Sequence, residues 1–208
     1  MIDSIFIKNN AINISNVSRE TLKELADYRN SIILKNKDIN LISASTEKSI
    51  NSRHIIDSAQ TIDFIDNIEI NTCTDLGSGA GLPGIVLAIL MKHKKPQFKV
   101  IFYEKSYHKS KFLVDMSKKF DLNTKVYQKN IFEEKNLSTD VIIARAFKPL
   151  PTIFEIAEKN FKNFKFIILF LGKSGKKILK QTLKYWEFDY EEKKSLTNDE
   201  SIVIKIYN

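Results

Sequence analysis

The segment Asp75–Gly84 contains the residues whose types and spacing best support chemistry in this chain. Four of the six glycines of the protein lie within it, in the order Asp-Leu-Gly-Ser-Gly-Ala-Gly-Leu-Pro-Gly. Clustered glycines permit a sharp turn and let a ligand approach backbone that a Cβ atom would otherwise block. The segment therefore predicts a loop that holds an adenosine-containing ligand.

The glycines fit a dinucleotide fingerprint when the motif begins at Gly79. Gly79-Ala-Gly-Leu-Pro-Gly84 satisfies G-x-G-x-x-G, and Glu104 follows about twenty residues later, where a carboxylate can bind ribose hydroxyls. A pyrophosphate would then lie at a helix N-terminus. This interpretation gives an NAD-binding oxidoreductase, although the downstream sequence offers no evident catalytic acid or base.

A second interpretation begins at the acid and takes glycines at alternate positions, Asp75, Gly77, Gly79 and Gly81. This arrangement resembles the S-adenosylmethionine loop of Rossmann-like methyltransferases. Asp75 suits a ligand that carries a sulfonium and an ammonium, whereas it would repel a pyrophosphate. Glu104 can bind ribose hydroxyls in this interpretation too. We therefore favour a methyl donor over a dinucleotide.

Alternating strands and helices from residue 72 onward must position this loop. The predicted strands are 72–76, 98–103, 124–128, 140–144, 166–171, 187–192 and 202–207, and the predicted helices are 83–93, 107–120, 149–161 and 174–185. Such alternation predicts an α/β fold with a mostly parallel seven-stranded sheet covered on both faces. The last two strands have no helix between them, which predicts an antiparallel pair at the sheet edge.

Residues 1–70 show a helical pattern and no strand. Ser18 begins a capped helix with Leu22, Leu25 and Tyr28 on one face, and short helices are predicted at 47–50 and 54–65. We expect a helical N-terminal region, 1–70, and a Rossmann-like domain, 71–208, that form one compact unit.

Composition limits the class of protein further. The net charge of +8 indicates a polyanionic partner, although an A+T-rich coding sequence would also supply the excess lysine. No apolar run approaches the roughly 18 residues of a membrane span, and Met1–Lys8 lacks the features of a signal peptide. The single cysteine, Cys73, is expected to pack in the core, and a lone cysteine agrees with a reducing compartment. A cytoplasmic location is the expectation.

Six segments carry a family resemblance that covers most of the chain. They are Asn40-Leu-Ile-Ser43, Arg53-His-Ile-Ile-Asp-Ser58, Asp75–Ile85 with its Leu-Pro-Gly-Ile ending, Lys109-Ser-Lys-Phe-Leu113, Ala144-Arg-Ala-Phe147 and Gly172-Lys173. With these segments the chain resembles the bacterial small-subunit ribosomal RNA (guanine-N7)-methyltransferases, also called the glucose-inhibited division protein B family. It departs from the family pattern at Glu104, which is commonly aspartate, and at Leu171, which is commonly lysine.

The resemblance implies a Rossmann-like methyltransferase that uses S-adenosyl-L-methionine and no metal. By resemblance the cofactor contacts are Gly77, Leu82, Ile131, Phe132 and Arg145, and the motif itself adds Asp75, Gly79 and Glu104. Ile131 and Phe132 would flank the adenine ring. The implied substrate is N7 of one guanine in 16S ribosomal RNA, presented as RNA or as the small ribosomal subunit. A monomer is expected.

N7 of guanine has a free lone pair and no proton to remove, so the reaction needs alignment and no general base. Arg145 is the candidate residue for positioning the cofactor or the RNA; the alternative is that it pairs with a carboxylate or caps a helix. Arg53, His54 and Asp57 either line the site or form an interdomain hydrogen-bond cluster, which we prefer.

A basic cluster follows the second predicted strand. It consists of Lys105, His108, Lys109 and Lys111, extended by Lys118 and Lys119. These residues either contact RNA phosphates or form a solvated helix face. An RNA-binding ribosome-assembly factor with a vestigial cofactor pocket is the alternative function.

Overall fold

The computed structural model of the chain describes residues 17–65 and 68–207, and all elements below belong to this part. Its strands are β1 (Thr72–Leu76), β2 (Lys99–Tyr103), β3 (Thr124–Tyr127), β4 (Leu137–Ser138), β5 (Val141–Arg145), β6 (Phe161–Asn163), β7 (Phe166–Leu171), β8 (Tyr190–Lys194) and β9 (Ile202–Tyr207). Seven of them form one sheet in the order β3-β2-β1-β5-β7-β9-β8. β4 and β6, which were not predicted as a pair, form a separate two-stranded sheet.

The predicted α/β architecture is confirmed. β1 pairs in parallel with β2 on one side and with β5 on the other, and β5 pairs in parallel with β7. β9 runs antiparallel to both β7 and β8, so the C-terminal end of the sheet is antiparallel as predicted. The strand order reverses direction at β1. In sheets of this kind, ligands bind at the carboxyl ends of the strands beside such a reversal.

The four helices predicted after residue 72 are present within a few residues of their predicted bounds, whereas the short helix predicted at 47–50 lies instead at Ala44–Glu47. The helices are α1 (Arg19–Asn36), α2 (Ala44–Glu47), a π-helical turn (Asn51–Ile56), α3 (Asp57–Ala59), a 3-10 helix (Gln60–Phe64), α4 (Gly84–Lys94), α5 (Tyr107–Lys119), a second 3-10 helix (Ile131–Glu133), α6 (Leu150–Asn160) and α7 (Gly175–Thr182). Ser18 caps α1 by accepting the Thr21 N–H at 3.1 Å. All residues of α4 from Gly84 to Met91 are buried, which explains why this helix is apolar on every face.

The described part of the N-terminal region packs onto the sheet domain. Leu25, Tyr28 and Ile32 of α1 are completely buried and belong to the same core cluster as Ile85 and Leu87 of α4. The division at residue 70 stays a prediction, and the expectation for Met1–Lys8 lies outside the described residues. Among the residues that are described, none of the helices is both long and apolar enough to cross a membrane.

Candidate active site

The glycine loop joins the carboxyl end of β1 to α4. Gly77, Gly79 and Gly81 have φ angles of +64°, +56° and +89°, in the left-handed region that favours glycine. A Cβ atom at Gly77 would overlap the ring of Phe147, and one at Gly81 would overlap the side chain of Ile85. The sharp turn that the glycines predict is thus present at the strand reversal, and packing inside the protein excludes a side chain at Gly77 and Gly81. The approach of a ligand to this backbone stays a prediction.

Glu104 connects the loops that follow β1 and β2. Its Oε2 accepts the Gly79 N–H at 2.9 Å, and its Oε1 accepts the Ser106 N–H at 2.8 Å. The backbone N–H of Gly77 donates to the Tyr103 carbonyl at 3.0 Å and ties the same two loops together. A carboxylate has about four acceptor positions, so Glu104 can accept further hydrogen bonds. Its contact with a ribose stays a prediction.

Asp75 lies beneath the loop, with only 1% of its surface exposed. Its Oδ2 accepts the backbone N–H of Gly84 at 2.9 Å and so holds the first turn of α4 against β1. The pKa of Asp75 is raised to about 7, because burial and the nearby Glu104 raise it by more than the Gly84 N–H lowers it. The structure thus gives Asp75 a role in bracing the loop, while its attraction for a cationic ligand stays a prediction.

Tyr28 connects the N-terminal region to the glycine loop by a hydrogen bond. It is completely buried, and its hydroxyl donates to the carbonyl of Ala80 at 2.7 Å. Burial raises the pKa of Tyr28 well above its usual value, and the nearby Asp75 raises it further. The sequence placed Tyr28 on the apolar face of a helix, but periodicity cannot show that the hydroxyl reaches a loop 52 residues away.

Phe147 links two of the predicted cofactor residues. Its ring lies against Gly77, and its centroid is 6.4 Å from that of Phe132. Phe132 is 47% exposed, whereas the neighbouring Ile131 is buried in the core beneath it. Leu82 is also nearly buried, at 9% exposure. Phe132 is thus the more available surface for an adenine ring, and the contacts of Ile131 and Leu82 with a cofactor stay predictions.

Arg145 ends β5 and points toward the N-terminal region. Its Nη2 lies 3.1 Å from Asp57 Oδ2, and its guanidinium also donates to the Arg53 carbonyl. Its Nη1 lies 3.1 Å from His54 Nδ1. These contacts form the hydrogen-bond cluster preferred for Arg53, His54 and Asp57. They also provide the carboxylate partner that was the alternative for Arg145, whose contact with a cofactor or RNA stays a prediction.

His54 is neutral within this cluster. A guanidinium can only donate, so Nδ1 of His54 accepts from Arg145, and Nε2 carries the proton that it donates to Thr46 Oγ1 at 2.8 Å. Burial, together with the positive charges of Arg145 and Arg53, lowers the pKa of His54 to about 4. Burial likewise lowers the pKa of Arg145, and Asp57 opposes that effect. Both nitrogens of the imidazole are engaged in structural contacts.

Asp57 joins three distant parts of the chain. Besides Arg145, its carboxylate accepts from Gln60 Nε2 at 2.9 Å, from Ser195 Oγ at 2.8 Å and from Thr197 Oγ1 at 3.1 Å. Ser195 and Thr197 belong to the turn between β8 and β9. Neither residue could be predicted from the sequence as part of this cluster, because serine and threonine are common in turns for local reasons.

The basic cluster at the start of α5 lies on the surface. Lys105, His108 and Lys111 are exposed, and Lys109 is partly exposed. At the end of the helix, Lys119 donates to Ser31 Oγ of α1 at 2.9 Å. Within residues 17–65 and 68–207, no group of three His, Cys, Asp or Glu side chains is arranged to hold a metal ion.

The sheet order, the antiparallel end and the glycine loop at the strand reversal define the class of Rossmann-like methyltransferase folds. Two solved structures share this fold. The 16S rRNA methylase RmtB has a TM-score of 0.55 at 11% identity, with 99% of this chain and 81% of that chain covered. The PH0226 protein of Pyrococcus horikoshii OT3 has a TM-score of 0.58 at 13% identity, with 86% and 98% covered.

Sequence comparison assigns the family. The family model described as rRNA small subunit methyltransferase G matches residues 21–202, so the chain belongs to this family. A protein named ribosomal RNA small subunit methyltransferase G from Pelagibacter ubique is 46% identical over 206 residues, which is 98% of this chain and 96% of that protein. One of the same name from Ruegeria pomeroyi is 33% identical over 194 residues, 93% and 94% of the two chains. The resemblance inferred from motifs is confirmed, and the methyltransferase interpretation of the glycines prevails over the dinucleotide one.

Proposed function

We propose that this chain transfers a methyl group from S-adenosyl-L-methionine to N7 of one guanine in 16S ribosomal RNA. The observation that carries the proposal is the glycine loop at the reversal of strand order, in a chain whose family is the rRNA small subunit methyltransferase G family. The relatives from Pelagibacter ubique and Ruegeria pomeroyi carry that name. Methyl transfer to small-subunit ribosomal RNA is the activity that this combination supports best.

The residues at the loop fit such a cofactor. The backbone at Gly79 is open, because a Cβ atom there would have no neighbour closer than the Gly77 carbonyl at 3.9 Å. The carboxylate of Glu104 accepts the Gly79 N–H of the loop. The exposed ring of Phe132 lies 6.4 Å from that of Phe147, which packs against Gly77. The residues that would hold the cofactor are Asp75, Gly77, Gly79, Leu82, Glu104, Ile131, Phe132 and Arg145. When bound, S-adenosylmethionine supplies an electrophilic methyl group on a sulfonium.

The protein groups have to orient the reactants and exclude water. N7 of guanine attacks through its own lone pair, so proton removal is unnecessary and in-line geometry sets the rate. His54, the histidine nearest to Arg145, is neutral and has both ring nitrogens in hydrogen bonds, which agrees with a reaction that uses no base. Arg145 is held in place by Asp57 and can orient the RNA or the cofactor from the end of β5.

Charge and exposure support an RNA partner. The chain carries a net charge of +8, and Lys105 and Lys111 are exposed where α5 begins, a few residues after Glu104. Such cations would contact RNA phosphates and make affinity fall with rising salt concentration. We further propose that the enzyme acts as a monomer in the cytoplasm on the RNA or on the assembled small subunit.

The test is transfer of a labelled methyl group from S-adenosylmethionine to small ribosomal subunits prepared from cells that lack this enzyme. We expect label in 16S ribosomal RNA at N7 of one guanine. Titration calorimetry with S-adenosylhomocysteine and with NADH accompanies it, and we expect heat with the first only. Absence of label in the RNA would refute the proposal; if the RNA is nevertheless bound, the assembly-factor alternative replaces it.

A further inference from the structure

A cavity of about 250 Å³ lies at the cluster around Arg145 and Asp57, and no role has yet been assigned to the cavity itself. We call it the rim pocket. Residues from four parts of the chain line it, namely Arg53, Arg145, Phe170, Gly172, Asn198 and Ser201. They come from the N-terminal helical region, the ends of β5 and β7, and the connection between β8 and β9. The pocket therefore opens at the same carboxyl edge of the sheet as the loop.

The rim pocket is adjacent to the loop in the sheet. Ala144 of β5 lies opposite Leu76 of β1, and Arg145 lies opposite Phe170 of β7. Neighbouring strands are about 4.8 Å apart, so the pocket lies roughly one to two strand spacings from the loop. A group bound in it would be next to a ligand held on the loop.

One short segment contributes to both sites. Ala146 lines the rim pocket, while the ring of the next residue, Phe147, lies against Gly77 of the loop. Ala146 has φ +50°, a backbone conformation that non-glycine residues rarely adopt. Such outliers persist only where the surrounding structure imposes them, and they concentrate at functional sites. The pocket and the loop are thus separated only by the segment Ala146–Phe147.

The size and lining of the rim pocket suit one planar base. Its volume lies below the ~300–1,000 Å³ of typical cofactor and drug sites, which excludes a whole nucleotide cofactor. The aromatic ring of Phe170 forms one wall, with the Arg145 guanidinium 5.8 Å from its centroid. Enzymes that modify a base take it out of the helix, place it against aromatic or apolar side chains and hydrogen-bond its Watson–Crick edge.

The polar groups in the lining favour guanine among the bases. Guanine presents an acceptor at O6 and donors at its N1 and amino group. Arg53 brings a guanidinium to the lining, and Arg145 adds the N–H groups that its bonds to Asp57, His54 and the Arg53 carbonyl do not use. Ser201 brings a hydroxyl oxygen that can accept. The one carboxylate among the lining residues, Asp57, is already taken by four donors within the protein. Positive charge therefore dominates the pocket and suits the electron-rich O6 edge.

We propose that the rim pocket receives the target guanine, extruded from the RNA, and holds it beside the glycine loop. This inference rests on the proposed function and adds to it the place and the residues that select the base. Asp57 holds the lining residues in place in the absence of RNA, because it binds Arg145 on one side of the pocket and Ser195 and Thr197 on the other. The base would thus enter a pocket whose shape exists before RNA binds.

Gly172 offers a way to fill the rim pocket without disturbing the cofactor loop. A Cβ atom at Gly172 would have no neighbour within 4 Å, so Gly172→Leu places a side chain in open space at the pocket. Ser174→Leu is the matched control, since Ser174 lies in the same turn, is exposed and is not among the lining residues. Ser174 is the N-cap residue of α7, but its side chain makes no capping hydrogen bond that the substitution would remove. Ser201→Leu fills the pocket from the opposite wall.

The assay measures methyl transfer to unmodified small subunits and, separately, the affinity for S-adenosylhomocysteine. We expect Gly172→Leu and Ser201→Leu to lower methyl transfer about 100-fold, because a misplaced base loses in-line geometry. Affinity for S-adenosylhomocysteine is expected to stay unchanged, and Ser174→Leu to behave as the wild type. Folded variants with normal transfer, or with equal losses of transfer and of S-adenosylhomocysteine affinity, would overturn the proposal.

Inhibition of the wild type tests the pocket even if a variant does not fold. We expect guanosine monophosphate to inhibit methyl transfer in competition with the subunit and not with S-adenosylmethionine, and to do so better than adenosine monophosphate. Equal inhibition by the two nucleotides would contradict the assignment of guanine. A wild type that methylates no RNA at all would instead refute the proposed function, so the two failures can be told apart.

Discussion

Replacing Asp75 by asparagine is expected to stabilise the protein above neutral pH. The carboxyl group is buried beneath the glycine loop, where its pKa is about 7 instead of the usual 3.8. Asparagine has no charge to bury, and its side-chain oxygen can still accept the Gly84 N–H that now bonds to Asp75 at 2.9 Å. The substitution therefore removes the cost of ionisation and keeps the hydrogen bond.

The magnitude follows from the difference between the folded and unfolded pKa values of Asp75. Because the folded value is the higher one, folded protein keeps its proton where unfolded protein has lost it, between about pH 4 and pH 7. Stability contributed by this group is thus present at low pH and is lost as pH rises through 7. About three pKa units at ~1.4 kcal/mol each give ~4 kcal/mol as the largest gain from Asp75→Asn, reached near pH 8.

The assay is urea unfolding of the wild type and the variant at a series of pH values from 4 to 8.5. The quantity of interest is the difference in unfolding free energy between the two proteins, in which the titration of groups that do not interact with Asp75 cancels. We expect this difference to grow with pH in favour of the variant and to level off above pH 7. A difference that does not change with pH would refute the assigned burial and charge state of Asp75.

Asp140→Asn is the control with the opposite sign. Burial raises the pKa of Asp140, but N–H donors from Asn71 and Thr72 at 2.8 and 2.9 Å outweigh this and leave the pKa below its usual value. Its contribution to stability is present above the usual carboxyl pKa and is lost as pH falls through the folded value. Asp140→Asn is therefore expected to destabilise the protein at pH 8 and to approach the wild type in acid.

Three further substitutions test the contacts around the loop. Gly77→Ala is expected to abolish S-adenosylhomocysteine binding, because the new Cβ overlaps Phe147 and the residue has φ +64°; calorimetry measures this. Tyr28→Phe leaves the Ala80 carbonyl without its donor and is expected to cost ~1–3 kcal/mol in urea unfolding. Asp57→Ala removes the carboxylate from a largely buried ion pair and is expected to cost ~3–5 kcal/mol, measured in the same way.

Each of these has its own control. Phe147→Ala combined with Gly77→Ala removes the overlap but not the backbone strain, so only partial recovery of binding is expected. For Asp57 the comparison is Asp38→Ala, which breaks an exposed pair with Lys35 and is expected to leave unfolding unchanged. Equal losses of unfolding free energy from Asp57→Ala and Asp38→Ala would show that the buried cluster contributes no more than an exposed ion pair. A Tyr28→Phe protein with the unfolding free energy of the wild type would refute the bond to Ala80.

Most of the sheet could be predicted because parallel strands buried on both faces are short apolar runs. β7 and β9 coincide with their predicted bounds, whereas β8 begins at 190 instead of 187. β8 is an edge strand with every side chain exposed, so burial imposes no pattern on its sequence. β4 and β6 have two and three residues, too few for any periodicity to be recognised.

The glycine loop was the most predictable part of the site, because its requirements are local. An acid, glycines with left-handed φ and the start of a helix all lie within ten residues of sequence, and each is needed to turn a strand into a helix around a ligand. The family motifs carry the same kind of information. For this reason the sequence alone sufficed to indicate the fold class, the kind of ligand and the family.

Only the tertiary structure decided which distant residues meet at the loop. The hydroxyl of Tyr28 reaches Ala80 across 52 residues, and Ser195 reaches Asp57 across 138. Such contacts depend on how whole helices and strands pack, and a single tyrosine, serine or aspartate has no local pattern that reports its partner. The loop could be predicted from the sequence because its backbone conformation requires particular residues within one short segment. The cluster around Arg145 and the pocket beside it form only when four separate segments fold together.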